Sequence, residues 1–300
     1  MKIGYFADGP WSHMAVKKIF SDKRFLVKFI CARFDNPDPE LKKIAKLAGI
    51  PFRVHKDIND VAIICDLQKY NCDTYVSMSF NQIFKQRIIG SVRGGIINCH
   101  AGKLPFYRGR NVLNWALING ENEFGITVHH VDEGVDSGDI IIQKTYPITD
   151  NDDYETLLSR SYLNCSDLLY KALVRLATQK YQRIIQKDIH PHGFYCVQRK
   201  LGDEVIDWCQ SSRDIFNFIR AISYPGPSAR TFCRNDEIKL NKSELIPDAP
   251  SFKGIPGSVL YKDRIGILVK TLDSYIKISE WESLEKINVG DRWHERISNS

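Results

Sequence analysis

Asn98 and His100 are the residues whose types and spacing first suggest chemistry. They close the apolar run Ile96-Ile97-Asn98-Cys99-His100, two positions apart, so on a strand both side chains leave the same face. In an open α/β sheet the carboxyl end of a strand is where ligands bind. An amide N–H stabilises the negative charge that develops on oxygen when a carbonyl is attacked. An imidazole exchanges a proton near neutral pH. The pair therefore suits acyl transfer to an amine, although a His and an Asn that only tie down a loop would show the same spacing. A carboxylate would complete the set. Asp136, in Val135-Asp136-Ser137-Gly138-Asp139 ahead of Ile140-Ile141-Ile142, could sit beside His100, fix its tautomer and hold its charge. Asp-Ser-Gly-Asp is equally ordinary turn chemistry, so both readings stand at this point.

Other chemistries find less support. Among eight histidines and eight cysteines there is no His-Glu-x-x-His or Cys-x-x-Cys spacing, so no metal is expected. His129 and His130 occupy adjacent strand positions and should point to opposite faces, which is poor for joint ligation. The first loop, Asp8-Gly9-Pro10-Trp11, lacks a Gly-x-Gly-x-x-Gly sequence, which argues against a nicotinamide cofactor. The cysteines, at positions 31, 65, 72, 99, 165, 196, 209 and 233, lie mostly in apolar runs and read as reduced thiols of a cytoplasmic protein. Met1 leads directly into a strand-like segment far too short for the apolar region of a signal peptide, and no apolar stretch reaches membrane-spanning length. The net charge of +6 over 300 residues comes from scattered Lys and Arg, so neither nucleic acid nor membrane is signalled as a partner.

The elements that must position these residues alternate in type. Lys2–Ala7, Leu26–Ala32, Phe52–His55, Asp73–Met78 and Gly95–Cys99 read as strands. Ser12–Phe20, Glu40–Ala48 and Val61–Tyr70 read as helices between them. That alternation predicts an α/β fold, a Rossmann-like, mainly parallel sheet with helices on both faces. Leu157, Leu158, Leu168, Leu169, Leu173 and Leu176 build one apolar face of a helix over Tyr154–Leu176. Beyond it, Lys180–Gly202 reads as loop and Ser212–Ala221 as a short helix. Thr231–Leu240, Gly257–Leu260, Ile265–Thr271 and Tyr275–Trp281 read as short strands. The expected organisation is a catalytic domain over residues 1–204 and a small β-barrel-like, OB-like domain over 205–300.

The order of these motifs also carries a resemblance. Asn98-x-His100, then Leu104-Pro105 and Tyr107-Arg108-Gly109, then Gly125-Ile126-Thr127-Val128-His129, then Asp136-Ser137-Gly138 is similar to the folate-dependent formyltransferase superfamily. The resemblance implies a catalytic trio of Asn98, His100 and Asp136, with 10-formyltetrahydrofolate as co-substrate and no metal. It further implies that an amine attacks the formyl carbon, that Asn98 and protonated His100 stabilise the tetrahedral oxyanion, and that Asp136 supports His100 and proton delivery. A pterin pocket of backbone groups would lie along Met78, Ser79 and Phe80 and along the turn carrying Asp132, Gly134 and Asp139.

The wording from His100 to Asn111 is closest to the nucleotide-sugar N-formyltransferases, whose acceptors are amino-deoxy sugars on nucleoside diphosphates. On that reading Gly102, Tyr107, Arg108, Gly109 and Arg110 line the acceptor site, and the two guanidinium groups suit a diphosphate. Asp8 and Trp11 would contact sugar or base, with Trp11 as a packing residue the alternative. Val205-Ile206-Asp207-Trp208, Ile219-Arg220-Ala221 and Tyr224-Pro225-Gly226-Pro227 resemble the segment joining the two domains in the sugar and tRNA enzymes, so Trp208 and Tyr224 would be docking residues, with a place in the acceptor pocket the alternative. Methionyl-tRNA formyltransferase is the other acceptor reading. It usually carries a basic loop in its N-terminal half, whereas Arg33–Glu40 here is short and holds three carboxylates, a poor match to RNA phosphates. A homodimer is also expected from the sugar enzymes.

Overall fold

The computed structural model describes residues 1–179, 181–234 and 236–295. It divides into two compact units. The first comprises Met1–Val112, Phe124–Tyr146 and Ser159–Cys196, and the second comprises Leu113–Glu123, Pro147–Leu158 and the described residues from Val197 on.

In chain order the elements are β1 (Lys2–Ala7), α1 (Gly9–Phe20), β2 (Leu26–Ala32), α2 (Pro39–Leu47), β3 (Phe52–Val54), α3 (Val61–Gln68), β4 (Thr74–Met78), α4 (Gln86–Ile89), β5 (Ile96–His100), β6 (Arg108–Gly109) and α5 (Val112–Ile118). They continue with β7 (Glu123–His130), β8 (Ile140–Pro147), α6 (Tyr154–Thr178), α7 (Gln186–Ile189), β9 (Tyr195–Cys196) and α8 (Ser212–Ile222). The chain then forms β10 (Ala229–Cys233), β11 (Asp236–Glu244), β12 (Val259–Lys262), β13 (Ile267–Lys270) and β14 (Tyr275–Glu282).

The first unit is built on a seven-stranded sheet in the order β3-β2-β1-β4-β5-β7-β8. β2, β1, β4 and β5 run parallel, and β7 pairs antiparallel to β5. All of β4 and nearly all of β1 are buried, as expected for strands covered on both faces. Phe6 is central to this core. Its ring meets those of Phe29, Tyr75, Phe80 and Phe84 edge-on, at centroid distances of 5.3–5.6 Å, a favoured aromatic geometry. α2 and α3 start at the carboxylates of Asp38 and Asp60, which accept first-turn N–H groups. On α6, Leu157, Leu168, Leu169 and Leu173 are buried, the face that the spacing predicts.

The second unit carries a five-stranded sheet, β10-β11-β14-β13-β12, antiparallel throughout. Its helix α8 is tied to the two stretches that precede it in sequence. Asn114 Nδ2 donates to the Ala221 carbonyl at 2.6 Å, and Arg220 Nη1 donates to the Thr149 carbonyl at 2.7 Å. Trp208 is buried here, donating to Thr231 Oγ1 at 2.9 Å and packing on Trp293.

The α/β sheet and the later strand-rich sheet agree with the sequence reading. Four local differences have identifiable causes. The span Thr231–Leu240 reads as one strand because its residues are continuously strand-like, but the chain reverses at Arg234, which has φ 54°, to make the antiparallel pair β10 and β11. Asn235, inside that span, lies outside the described residues. α4 and α5, 4 and 7 residues long, are too short to show a helical period. The segment read as loop over 180–202 contains α7 and β9, which pairs with β6 through Arg108↔Tyr195 and Gly109↔Cys196; Lys180 itself lies outside the described residues.

Candidate active site

β5 delivers Asn98 and His100 at its carboxyl end, and the antiparallel partner β7 sets His129 opposite Asn98 and Thr127 opposite His100. The turn after β7 returns toward them. Asp136 occupies the left-handed region at φ 53°, and its carboxylate lies among the side chains of both strands. His129 Nε2 is 3.4 Å from Asp136 Oδ1, His100 Nδ1 is 3.6 Å from Oδ2, and the Gly109 N–H donates to Oδ2 at 2.9 Å. Asn98 Nδ2 lies 3.5 Å from Asp136 Oδ1 and 3.3 Å from His129 Nε2. The three residues singled out from the sequence thus meet around one carboxylate.

The protonation pattern follows from what each atom faces. His100 Nε2 lies 2.7 Å from the Tyr107 carbonyl, an acceptor only, so Nε2 carries a proton and donates. The other ring nitrogen, Nδ1, turns toward the Asp136 carboxylate at 3.6 Å, an ion-pair separation rather than a hydrogen bond. His129 repeats the arrangement, with Nδ1 donating to the His130 carbonyl at 2.8 Å and Nε2 turned toward Asp136. Burial would raise the Asp136 carboxyl. The charge of His100, then the hydrogen bond and charge of His129, and the Gly109 N–H outweigh it and hold the carboxyl well below the usual range. His100 and His129 are themselves buried, at 9% and 2% exposure, so these interactions are little screened.

The backbone around the trio is shaped by close approach. A Cβ at Gly102 would collide with the Tyr107 carbonyl and His100 Nε2, and one at Gly138 would strike the His130 carbonyl. Thr127, fully buried, donates to the Gly102 carbonyl at 2.7 Å and receives Gln143 Nε2 at 2.8 Å, which also bonds the Leu104 carbonyl. These links hold the loop after β5 across β7.

The remaining sequence candidates fall into groups. Gly102, Tyr107 and Gly109 belong to the same loop, with Tyr107 at φ 53° and its ring edge-on to Phe194. Arg108 does not project freely: Gln186 Oε1 accepts from its Nε and Nη2 at 3.1 and 2.6 Å, and its guanidinium lies over Tyr195. Arg110 is exposed. Beyond the ends of β1 and β4, the Met78 carbonyl accepts the Asp8 N–H, Ser79 is exposed at φ 59°, and Phe80 packs on Phe6 and Phe84. Asp8 pairs with Arg33 at 3.2 Å, and its carboxyl is pushed up by burial against the opposing pull of that arginine. Trp11 stands edge-on to Tyr162 at 4.8 Å, which favours its packing reading. In the turn after β7, Asp132 accepts from Ser137 Oγ at 2.7 Å and the Gly134 N–H at 3.1 Å, while the Asp139 carbonyl accepts the His130 N–H. Much of this turn's polarity is therefore directed inward. Tyr224, in the second unit, is 69% exposed.

Sequence reasoning weighed His129 only as a metal ligand and missed its place beside Asp136. The signal was available in strand alternation, which puts Thr127 and His129 on one face. Gln186 was missed without any signal, being a polar residue in a segment read as loop. His130 points the other way, to Tyr181 Oη at 3.1 Å, as alternation requires. Among the described residues no group of three or more His, Cys, Asp and Glu is arranged to hold a metal ion, and no helix is long and apolar enough to cross a membrane.

With this geometry in hand, the relatives are informative. The formyl transferase family profile matches residues 26–173, and that of the formyl transferase C-terminal domain matches residues 200–292. The methionyl-tRNA formyltransferase of Geobacter metallireducens is 32% identical over 242 residues, covering 81% of this chain and 76% of that protein. The one from Fusobacterium nucleatum is 30% identical over 289 residues, covering 93% and 91%. Among solved structures, the sugar 3N-formyl transferase WlaRD, in the presence of dTDP and 5-N-formyl-THF, superposes with a TM-score of 0.70 at 20% identity over 96% of this chain and 99% of that one. The N-formyltransferase from Helicobacter canadensis, in complex with folinic acid and dTDP-3-aminofucose, gives 0.69 at 20% identity over 94% and 99%. The structural likeness shows a shared fold, and the sequence matches over most of the chain decide membership: this protein belongs to the formyltransferase family.

Proposed function

We propose that the chain is an N-formyltransferase that moves the formyl group of 10-formyltetrahydrofolate onto the amine of a nucleotide-linked amino-deoxy sugar. The acceptor would be of the dTDP- or GDP-linked 4-amino or 3-amino dideoxyhexose type used for surface polysaccharide. The observation that carries the chemistry is the meeting of Asn98, His100 and Asp136 at the end of β5. The Asn98 amide Nδ2, held between Asp136 Oδ1 and His129 Nε2, is the N–H donor that the oxygen of the attacked formyl group would need. His100 holds its Nε2 proton against the Tyr107 carbonyl; an oxyanion forming nearby competes for that proton. Asp136 turns its carboxylate toward His100 Nδ1 and orients the ring. The folate analogues in the solved neighbours support a folate donor, with its polar edge meeting backbone groups near Met78–Phe80 and the 132–139 turn that are not already paired.

A small acceptor is supported by the loop after β2. Arg33, its one cation, is held by Asp8 and by Asp35 at 2.6 Å, and Asp38 is buried as the cap of α2, bonding His13 Nε2 at 2.8 Å. This loop offers carboxylates and a neutralised guanidinium, the wrong character for an RNA backbone. The second reading, methionyl-tRNA as acceptor, is favoured by relatives named methionyl-tRNA formyltransferase at 30–32% identity. Incubating the protein with 10-formyltetrahydrofolate and either a panel of amino-sugar nucleotides or charged initiator tRNA separates the two. Formyl transfer to a sugar nucleotide is expected; transfer to the tRNA alone would replace the acceptor assignment while leaving the chemistry in place.

A further inference from the structure

We propose that Gln186 and Arg108 form a strut that positions Asp136, so that Arg108 serves the geometry of the site rather than binding an acceptor phosphate. The proposal rests on the formyl-transfer reading above. Gln186 is 2% exposed. Its Nε2 donates to the carbonyls of Asp136 and Gly138 at 2.9 and 2.8 Å, and its Oε1 accepts from Arg108 Nε and Nη2 at 3.1 and 2.6 Å. Both N–H donors and both lone pairs of the amide are thereby used, the full capacity of a glutamine.

The next residue closes the ring. Gly109 donates its N–H to Asp136 Oδ2 at 2.9 Å, so consecutive residues of β6 grip Asp136 at opposite ends. Gly109 holds the carboxylate directly, and Arg108 holds the backbone carbonyl through Gln186. The pairing of β6 with β9 fixes that dipeptide, and Arg108 also lies 5.5 Å over the Tyr195 ring. A left-handed backbone at a non-glycine residue persists only when its surroundings enforce it, and Asp136 at φ 53° is such a residue. The strut supplies that enforcement. A guanidinium whose Nε–Nη2 edge is occupied and whose face is stacked has given one of its two forks to the strut, whereas Arg110, two residues on, is exposed.

The test compares Gln186→Met, Arg108→Met and the double variant. With the acceptor that the wild type formylates, each single change is expected to lower kcat by about ten- to a hundredfold with both KM values held, because orientation is lost and binding is not. The double variant should be no worse than the poorer single one, since both remove the same strut. Without any substrate, NMR titration should show the Asp136 carboxyl midpoint rising toward the ordinary range in each variant. If Gln186→Met does not fold, Arg108→Met, which leaves the Gln186 donors on the turn, carries the same test. A raised acceptor KM at unchanged kcat in Arg108→Met would overturn the proposal in favour of a phosphate contact. Lower thermal stability with wild-type kcat and titration would overturn it in favour of a purely structural role. A wild type that formylates nothing would sink the functional reading alone, and the titration would still decide the strut.

Discussion

Two little-exposed aspartates in the first unit, Asp38 and Asp136, each meet a histidine and a backbone N–H, yet the two regions around them differ in kind. At Asp38 every partner is a donor at ordinary distance: Leu41 N–H at 2.9 Å, Gly9 N–H at 3.0 Å and His13 Nε2 at 2.8 Å. Burial would raise its carboxyl, but these donors, the Leu41 N–H foremost, lower it. The result is a closed helix cap that pins the loop after β1 to the start of α2. At Asp136 two imidazoles stand off at 3.4 and 3.6 Å while each also faces a carbonyl. The charge there depends on where protons sit. A saturated carboxylate reads as structure, and one shared between imidazoles and an amide reads as chemistry.

The comparison is most easily broken by changing each aspartate in turn. Asp136→Asn removes the charge that holds His100 and is expected to lower turnover by about 10²–10⁴-fold with the fold retained. A variant retaining a tenth of wild-type turnover would erase the distinction. Next comes Gly102→Ala, whose methyl would displace the His100–Tyr107 contact. Steady-state assays should show a loss of about ten- to a hundredfold, as expected of a small misplacement at a reacting centre. Asp38→Ala should behave in the opposite way. Loss of the cap and of the His13 partner costs about 1–2 kcal/mol in urea unfolding, with turnover within about threefold of wild type. A larger catalytic loss would move that region into the site.

The smallest effect concerns pH. Burial, then Arg183 and His129, push His130 down to about 4 from the usual 6.5. Its folded state binds a proton less readily than the unfolded chain, so the stability it contributes is full above pH 6.5 and is lost as pH falls toward 4. Allowing for partial exposure, wild type should lose on the order of 1 kcal/mol more than His130→Gln between pH 7.5 and 5. Equal losses measured by chemical denaturation would show that His130 does not carry this sensitivity.

Much of this organisation was legible in the residues. Apolar runs such as Ile96–Cys99 and periodic leucines such as Leu168, Leu169 and Leu173 are local signals, and they located the sheet of the first unit and α6. Asn98 and His100 were legible for the same reason, since strand alternation fixes their common face. Their meeting with Asp136 did not follow from spacing. It depends on the antiparallel return of β7 against β5, a tertiary register that only the ordered motifs, taken as a resemblance, could suggest. Arg108 shows the limit most clearly: its charge and motif suggest a phosphate contact, and its side-chain partner, Gln186, lies some eighty residues away in sequence. Propensity and pattern carry no information about such a partner.

Single-turnover formyl transfer by His100→Asn, followed by product mass against wild type at matched folded fraction, tests the central claim most directly. The account predicts a product one formyl group heavier from the wild type and a rate at least about a hundredfold lower in the variant. Transfer at the wild-type rate without the His100 imidazole would contradict it.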